Sequence, residues 1–443
     1  MTTDTFLLTG GRILSMDPAI GELDGDVLVE NGTITAVGPK LRAPGVRIVD
    51  AASSWVLPGF IDTHRHCWQG VVRFAGVGWD VATYMERAHG KVAPAISPED
   101  AYLGNKLSAF ACLDAGITTV CDESHVQHST DHTEALIRAL SESGIRARFG
   151  FGWSAGPKNL LGSTDPHPAH VDDVRTRILH DDSRLVTMYA MLRGPVLSSL
   201  ETCIADIARA RALGLRMSFH VGHPNSQGMS EISLLHDAGV MGPDMHFIHG
   251  GECSDDELRM MAQAGVGLSV SPTVESWMAG LGAPATTRAL NAGVQVSFSA
   301  DTELAASGDM FSIMRAAFTA DQLRRTSDPS YRDNHRQLTP AQLLEFATIG
   351  GARVCGIADR VGSLTPGKQA DVILIDREAP NIVSSADSAT AIVTAAHAGN
   401  VKAVFVDGRE RKAAGALTEF REYARLRPAL RAAADRLRDL HNR

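Results

Sequence analysis

The sequence has few of the features that would place a protein in a membrane, in an oxidising compartment or on nucleic acid. It has no run of about 18 apolar residues, so we expect no transmembrane helix. Its first residues lack a positively charged segment followed by a long apolar stretch, so we expect no signal peptide and a cytoplasmic location. The net charge of −9 argues against a general nucleic-acid or membrane-surface binder.

Cysteine is scarce and scattered, which excludes two further classes of protein. The six cysteines form no Cys-x-x-Cys pair, which fits a reducing compartment better than a disulfide framework or a cysteine zinc site. Cys67 follows two closely spaced histidines in the sequence. Because adjacent side chains on a strand point to opposite faces, we do not expect Cys67 to share a site with His66.

The sequence does contain enough apolar material for a large core. Its 443 residues are 44% hydrophobic and 21% charged, and this length predicts either two domains or one large α/β barrel with an accessory domain. Residues 1–58 read as short strands, with a turn signal at Asn31-Gly32 between two of them. Strand texture returns after residue 356, so both chain ends together predict one small β-sandwich domain.

Between these ends, short apolar runs alternate with amphipathic helical patterns. We predict strands at residues 118–121, 145–151, 185–192, 216–220, 245–249, 267–270 and 294–298. This alternation predicts βα units around a parallel sheet, and about eight such units predict a TIM-like (β/α)8 barrel. We therefore expect an α/β protein with three segments. They are the first part of the β-sandwich at 1–58, the barrel at 59–355, and the second part of the β-sandwich with a terminal helix at 356–443.

The strongest functional signal is the pair of histidines His64 and His66, which directly follows the apolar run 55–61. Residues at i and i+2 of a strand face the same side, and two converging imidazoles can supply half of the first shell of a divalent metal. A lone pair of this kind also occurs in ordinary core strands.

Three further residues lie at the same relative position, each after an apolar run: His220, His249 and Asp301. Because the functional residues of a barrel collect at the carboxyl ends of its strands, we predict that all five side chains form one site.

Several segments resemble the metal-dependent amidohydrolases. Residues 57–66 are similar to the opening signature of that superfamily, residues 114–122 to its second strand, and residues 299–301 to its strand-eight aspartate segment. Residues 362–372 resemble the signature of its small β-domain. The branch that the sequence resembles most contains cytosine deaminase, guanine deaminase and triazine hydrolase. The resemblance implies a hydrolase that acts on carbon–nitrogen bonds other than peptide bonds.

The resemblance also implies roles for the five residues. The histidines at positions 64, 66 and 220 would bind one divalent metal ion. Asp301 would be the fourth ligand and the base that takes a proton from water, and His249 would orient the water or polarise the scissile group. Zinc is the first expectation, and iron or manganese suits the same ligand types. The candidate fourth strand, 185–192, lacks the lysine that bridges two metals in binuclear members, which favours a single metal.

Two positions depart from the pattern of this branch. His223 stands where its deaminases carry a glutamate that shuttles protons. An imidazole can transfer protons near neutral pH, and a solvent-facing loop histidine is the alternative. Glu275 stands where the family often has asparagine. It either replaces the missing glutamate, binds a cationic group of the substrate, or is a plain surface residue.

The segments beyond the strand ends hold candidate substrate contacts. Trp68 and Gln69 follow the histidine pair and could line a wall for a flat or apolar substrate. Packing beneath the loop is the alternative for each of them. His125 and His128, after the second barrel strand, are further polar candidates.

These features lead to one principal hypothesis and several alternatives. The principal hypothesis is the deamination of an amino-substituted heterocycle, a small-molecule substrate, by a metal-activated water. Hydrolysis of an amide, urea or carbamate is the alternative that the missing glutamate favours. A non-catalytic amidohydrolase-like scaffold is the alternative from another class, and a lyase or isomerase on the same scaffold is a third. The family resemblance and the apolar content permit a homodimer, and we expect no nucleic-acid or membrane partner.

Overall fold

The computed structural model describes residues 5–155, 162–222 and 230–441. Its strands are β1 Phe6–Leu14, β2 Glu22–Glu30, β3 Thr33–Gly38, β4 Arg47–Asp50, β5 Ser54–Pro58, β6 Phe60–Arg65, β7 Ile117–Ser124, β8 Arg146–Phe151, β9 Val186–Met191, β10 Met217–Val221, β11 Met245–His249, β12 Gly267–Val270, β13 Gln295–Phe298, β14 Val372–Asp376, β15 Val401–Val406, β16 Arg409–Ala413 and β17 Ala416–Leu417.

Helices alternate with these strands through the middle of the chain. They are α1 Val81–Tyr84, α2 Pro98–Asp114, α3 Thr130–Ser143, α4 Val171–Asp173, α5 Gly194–Leu197, α6 Leu200–Ala212, α7 Glu231–Asp237, α8 Asp255–Ala264, α9 Pro272–Trp277, α10 Thr286–Ala292, α11 Met310–Ser327, α12 Pro329–Asn334, α13 Pro340–Glu345, α14 Gly351–Cys355, α15 Ser388–Thr394 and α16 Phe420–His441. Among the described residues, none of the helices combines the length and apolar character needed to cross a bilayer.

The central part of the chain forms the predicted (β/α)8 barrel. Strands β6 to β13 follow one another in a parallel eight-stranded sheet. The first and last strands meet through backbone hydrogen bonds. The amide of Asp301 donates to the carbonyl of His64 at 2.9 Å, and the amide of His66 donates to the carbonyl of Asp301 at 3.0 Å. Closure of the barrel therefore brings together residues that are more than 230 positions apart in the sequence.

The apolar run 55–61 is a place where the structure differs from a simple sequence reading. The run contains two strands, because β5 pairs antiparallel with β14 in the terminal sheet whereas β6 begins the barrel. Gly59 separates them, and a Cβ atom at Gly59 would lie only 2.1 Å from Oγ1 of Thr118. Only glycine lets the chain pass this closely beside β7 as it enters the barrel.

The two ends of the chain form one mixed sheet, with β1 to β5 from the first end and β14 to β17 from the second. The sheet encloses its own apolar core, in which the rings of Phe6 and Phe405 stack with 4.7 Å between their centroids. A buried ion pair between Arg146 on β8 and Asp371, at 2.8 Å, ties the barrel to this sheet. The exact limits 1–58, 59–355 and 356–443 stay predictions.

The second end of the chain finishes in the terminal helix α16, Phe420–His441. It packs against the barrel helix α2. The ammonium group of Lys106, on α2, lies 2.9 Å from the carboxylate of Glu422, and Arg436 pairs with Asp100. The helix therefore covers the barrel, in addition to following the terminal sheet in the sequence.

Candidate metal centre

The five residues predicted at the strand ends come together at one end of the barrel. The candidate ligand atoms of His64, His66 and Asp301 all lie within 4.8 Å of one another, and the same holds for His64, His220 and His249. Oδ1 of Asp301 lies 3.0 Å from Nε2 of His64 and 3.4 Å from Nε2 of His66. His64 belongs to both groups, so four imidazoles and one carboxylate gather at this end of the barrel.

The backbone at two of these positions adopts an uncommon conformation. His249 and Asp301 have φ angles of 73° and 60°, in the left-handed region, which costs a non-glycine residue about 1–3 kcal/mol. The strands that carry His220 and His249 also approach closely beyond their ends. A Cβ atom on Gly222 would lie 2.9 Å from Cα of Gly250. The strand ends are therefore held in positions that ordinary strand geometry would not give.

The charges at the centre depend strongly on one another. Burial alone would lower the pKa of His64, but the carboxylates of Glu123 and Asp301 outweigh it and raise this pKa to about 10. Burial would raise the pKa of Asp301, but its hydrogen bonds with His64 and His66 hold it well below its usual range. Burial and the neighbouring imidazoles lower the pKa of His220 well below its usual value.

Imidazole nitrogens with one carboxylate oxygen are a donor set that a divalent transition metal accepts. This chemistry fits a single metal ion held among His64, His66, His220 and Asp301. Because a proton and a metal ion compete for the same nitrogen electron pair, a bound metal would replace the proton that His64 otherwise holds.

Glu275 holds His249 from the side opposite the other histidines. Oε1 of Glu275 lies 3.0 Å from Nδ1 of His249 and accepts a hydrogen bond from the backbone amide of Ser271 at 2.8 Å. Burial raises the pKa of Glu275 despite these two contacts. The interpretation of Glu275 as a plain surface glutamate is wrong, because its side chain is fully buried. Nε2 of His249 lies 3.9 Å from Oδ2 of Asp301.

The segment after His66 is more deeply packed than a substrate wall would require. Trp68 is completely buried within the apolar core. Gln69 donates to the hydroxyl of Tyr84 at 2.7 Å and accepts from the hydroxyl of Thr302 at 2.6 Å. The roles of Trp68 and Gln69 as substrate contacts stay predictions. His223, the candidate proton shuttle, lies outside the described residues.

A second group of rings lies beside the metal centre. The ring of His125 is 4.6 Å from that of His66, 4.5 Å from that of His89 and 5.0 Å from that of Trp153, measured between centroids. Burial and neighbouring imidazoles lower the pKa of His89 to about 3 and that of His125 well below its usual value. Both imidazoles are therefore neutral. His128 instead contacts the carbonyl of Ala93 at 2.8 Å.

Glu123 contacts the centre although nothing in the sequence analysis singled it out. It lies near the end of β7, and its carboxylate is 3.2 Å from Nδ1 of His64. The alternation of the strand indicates that Asp122 and Glu123 face opposite sides, but it does not indicate which of them faces His64.

Comparisons of the whole chain with known proteins agree with this geometry. Residues 55–411 match the model of the amidohydrolase family. A 5-methylthioadenosine/S-adenosylhomocysteine deaminase of Symbiobacterium thermophilum is 30% identical over 437 residues, which cover 92% of this chain and 93% of that protein. A 5'-deoxyadenosine deaminase of Methanosarcina mazei is 26% identical over 412 residues, which cover 91% of each protein.

Solved structures show the same fold. An adenosine deaminase from Xanthomonas campestris with bound zinc has a TM-score of 0.83 at 21% identity, and the match covers 98% of this chain and 99% of that one. A mutant atrazine chlorohydrolase from Arthrobacter aurescens, complexed with zinc and atraton, has a TM-score of 0.85 at 22% identity, with 97% and 100% covered. With its barrel, its strand-end histidines and a family match over residues 55–411, this chain belongs to the amidohydrolase family and hydrolyses carbon–nitrogen bonds other than peptide bonds.

Proposed function

We propose that the protein is a mononuclear, metal-dependent aminohydrolase that releases ammonia from an amino-substituted heterocycle. The observation that carries the proposal is the convergence of three imidazoles and Asp301 beside the Glu275–His249 pair. The relatives named as deaminases of methylthioadenosine, S-adenosylhomocysteine and deoxyadenosine make aminopurine nucleosides the first substrate class to test.

In this proposal His64, His66, His220 and Asp301 hold one divalent ion, with zinc as the first choice because two solved structures of the same fold contain it. Iron and manganese suit the same donors. When bound, such an ion supplies Lewis acidity and lowers the pKa of water to about 7. The remaining chemistry belongs to the side chains of this chain.

Asp301 is the proposed general base. In its charged form the carboxylate can accept a proton from the attacking water. The same oxygen can return that proton to the leaving nitrogen. Oδ2 of Asp301 lies 3.9 Å from Nε2 of His249.

His249 is the proposed partner on the far side of the reacting carbon. Its Nδ1 is held by the carboxylate of Glu275, so Nε2 points towards Asp301. This arrangement keeps the imidazole in one orientation and stabilises a positive charge on it when it polarises the scissile group. We propose that Glu275 is a positioning residue for His249, and that His223 is a further candidate for proton transfer.

Hydrolysis of an amide, urea or carbamate is the second candidate. The observation that favours it is the histidine at position 223, where the deaminases of this branch carry glutamate. This route expels an amine and needs a proton only at the leaving nitrogen, so Asp301 would suffice. The converging ligands and the family match favour either enzyme over a non-catalytic scaffold.

The experiment that tests the proposal is a comparison of released products on purified protein. The protein is stripped with a chelator, reloaded separately with zinc, iron or manganese, and assayed with aminopurine nucleosides and with amides, ureas and carbamates. We expect about one metal ion per chain, with ammonia released only from the heterocyclic amines. Amine release from amides alone would favour the second candidate. If the protein neither binds a metal nor turns over any of these substrates, both candidates are overturned.

A further inference from the structure

Glu123 contacts all three histidines of the candidate metal centre. Oε2 of its carboxylate lies 3.2 Å from Nδ1 of His64 and 3.9 Å from Nδ1 of His220. Its backbone carbonyl lies 2.9 Å from Nδ1 of His66. In each case the atom that faces Glu123 is Nδ1. The Nε2 atoms of His64 and His66 instead face Asp301.

We propose that Glu123 is a positioning residue that fixes which nitrogen of each histidine binds the metal. A backbone carbonyl can only accept a hydrogen bond, so Nδ1 of His66 must carry the proton. The electron pair of Nε2 is then available to bind a metal. A carboxylate has the same effect on His64, because it stabilises the tautomer with a proton on Nδ1. The inference rests on the proposed function, since it assumes that a metal binds between these Nε2 atoms.

The carboxylate itself is fixed rather than mobile. The side chain of Glu123 is completely buried, and the hydroxyl of Ser218, on strand β10, donates to its Oε1. Oε2, the oxygen that faces His64 and His220, makes no hydrogen bond among the described residues, so its contacts with the two histidines are electrostatic. Oε2 of Glu123 is therefore available for its contacts with the two histidines.

Asp122 provides a matched comparison on the same strand. Its carboxylate is also buried, but it accepts hydrogen bonds from the amide of Cys67 at 3.1 Å and the side chain of Asn105 at 2.6 Å. It faces α2, away from the barrel axis. A substitution at either position removes a buried carboxylate, but only the substitution at Glu123 removes a contact with the histidines.

The test measures the affinity for zinc of the wild type, E123Q and D122N by competition with a chromogenic chelator. A positioning role predicts an affinity about 10–100-fold weaker in E123Q, and an affinity close to that of the wild type in D122N. The absorption spectrum of the cobalt-substituted protein should change in E123Q alone. Equal affinities and spectra for the wild type and E123Q would overturn the inference.

A second measurement does not depend on whether the variant folds. Nitrogen-15 NMR of the histidines in zinc-loaded wild type reports which ring nitrogen carries the proton. We expect a proton on Nδ1 and metal on Nε2 for His64, His66 and His220. Metal coordination through Nδ1 of His64 would overturn the role of Glu123. A wild-type protein that binds none of zinc, iron and manganese would instead refute the proposed function, so the two failures can be distinguished.

Discussion

His64 and Arg65 are neighbours on strand β6, yet their side chains enter two very different polar clusters. Arg65 is 1% exposed and reaches Asp62 and Glu303, each at 2.8 Å. Glu303 also pairs with Arg73, so two guanidinium groups face two carboxylates. His64 is equally buried, but it joins other imidazoles and carboxylates whose charges are not matched in pairs.

The two clusters differ in the role of their charged groups: those around Arg65 stabilise the fold, and those around His64 are arranged for a ligand. In the cluster around Arg65, each charge already has its partner inside the protein, and the contacts tie β6 to the segment that follows β13. In the cluster around His64, several donors point at one place, and their electron pairs are arranged for a ligand. Buried charges must be paired or must bind a metal, and the two faces of this strand carry one paired cluster and one candidate metal cluster.

The largest expected effect comes from breaking the metal cluster. We expect Asp301→Asn to lower turnover at least about 10³-fold, because the general base and one ligand are lost together. Steady-state kinetics measures this loss. His236→Ala, at a half-exposed histidine far from the centre, is the control and should retain full turnover.

Breaking the paired cluster should have the opposite signature. We expect Arg65→Met to lower the free energy of unfolding by about 3–5 kcal/mol, because the buried carboxylates of Asp62 and Glu303 lose their partner. Urea unfolding of the metal-free protein measures this loss. The matched control is Arg47→Met, which removes an exposed pair with Glu410. A loss in R65M no greater than in R47M would contradict the distinction between the clusters.

A smaller effect should follow from loosening the contact between Glu275 and His249. We expect Glu275→Gln to lower kcat by about 10²-fold with little change in KM, because the imidazole loses the carboxylate that orients it and stabilises its positive charge. The zinc affinity should be retained, since Glu275 contacts none of the four proposed ligands. A large loss of metal in E275Q would instead place Glu275 in the ligand network.

The smallest effect concerns Asp122, which is paired with Arg65 in the register of the sheet. Burial raises the pKa of Asp122 from 3.8 to about 6, so the folded state holds this proton more tightly than the unfolded chain does. The resulting stabilisation is present below about pH 4 and is lost as the pH rises through about 6, with a size of about 3 kcal/mol.

Urea unfolding between pH 4 and 7 isolates this contribution as a difference between two proteins. The wild type should lose stability over the window relative to D122N, which has no titratable group at that position. Identical pH profiles would show that Asp122 is not buried as a protonated acid.

Much of the site could be predicted from the sequence, because its residues repeat one local pattern. His64, His66, His220, His249 and Asp301 each follow an apolar run, and parallel strands of a barrel end on one face. Glu275 was recognised as a departure, but its contact with His249 was not predictable. That contact depends on how α9 leaves β12, which no periodicity in the sequence describes.

Glu123 shows more clearly what could not be predicted from the sequence. Next to Asp122 on β7 it looks like one of two acidic residues in a buried strand, and only the register of β7 against β6 decides which of them meets His64. The run 55–61 shows the same limit, since its apolar pattern does not reveal that Gly59 divides it between two sheets.

The sequence by itself determined the elements, the barrel and the inventory of ligands, because periodicity and strand-end chemistry are local properties. The tertiary structure decided which atoms meet: the Nδ1 atoms of three histidines around Glu123, the carboxylate of Glu275 behind His249, and the closing contacts of Asp301 with β6. These depend on strand register, backbone conformation and side-chain direction, which are fixed only when distant segments pack together.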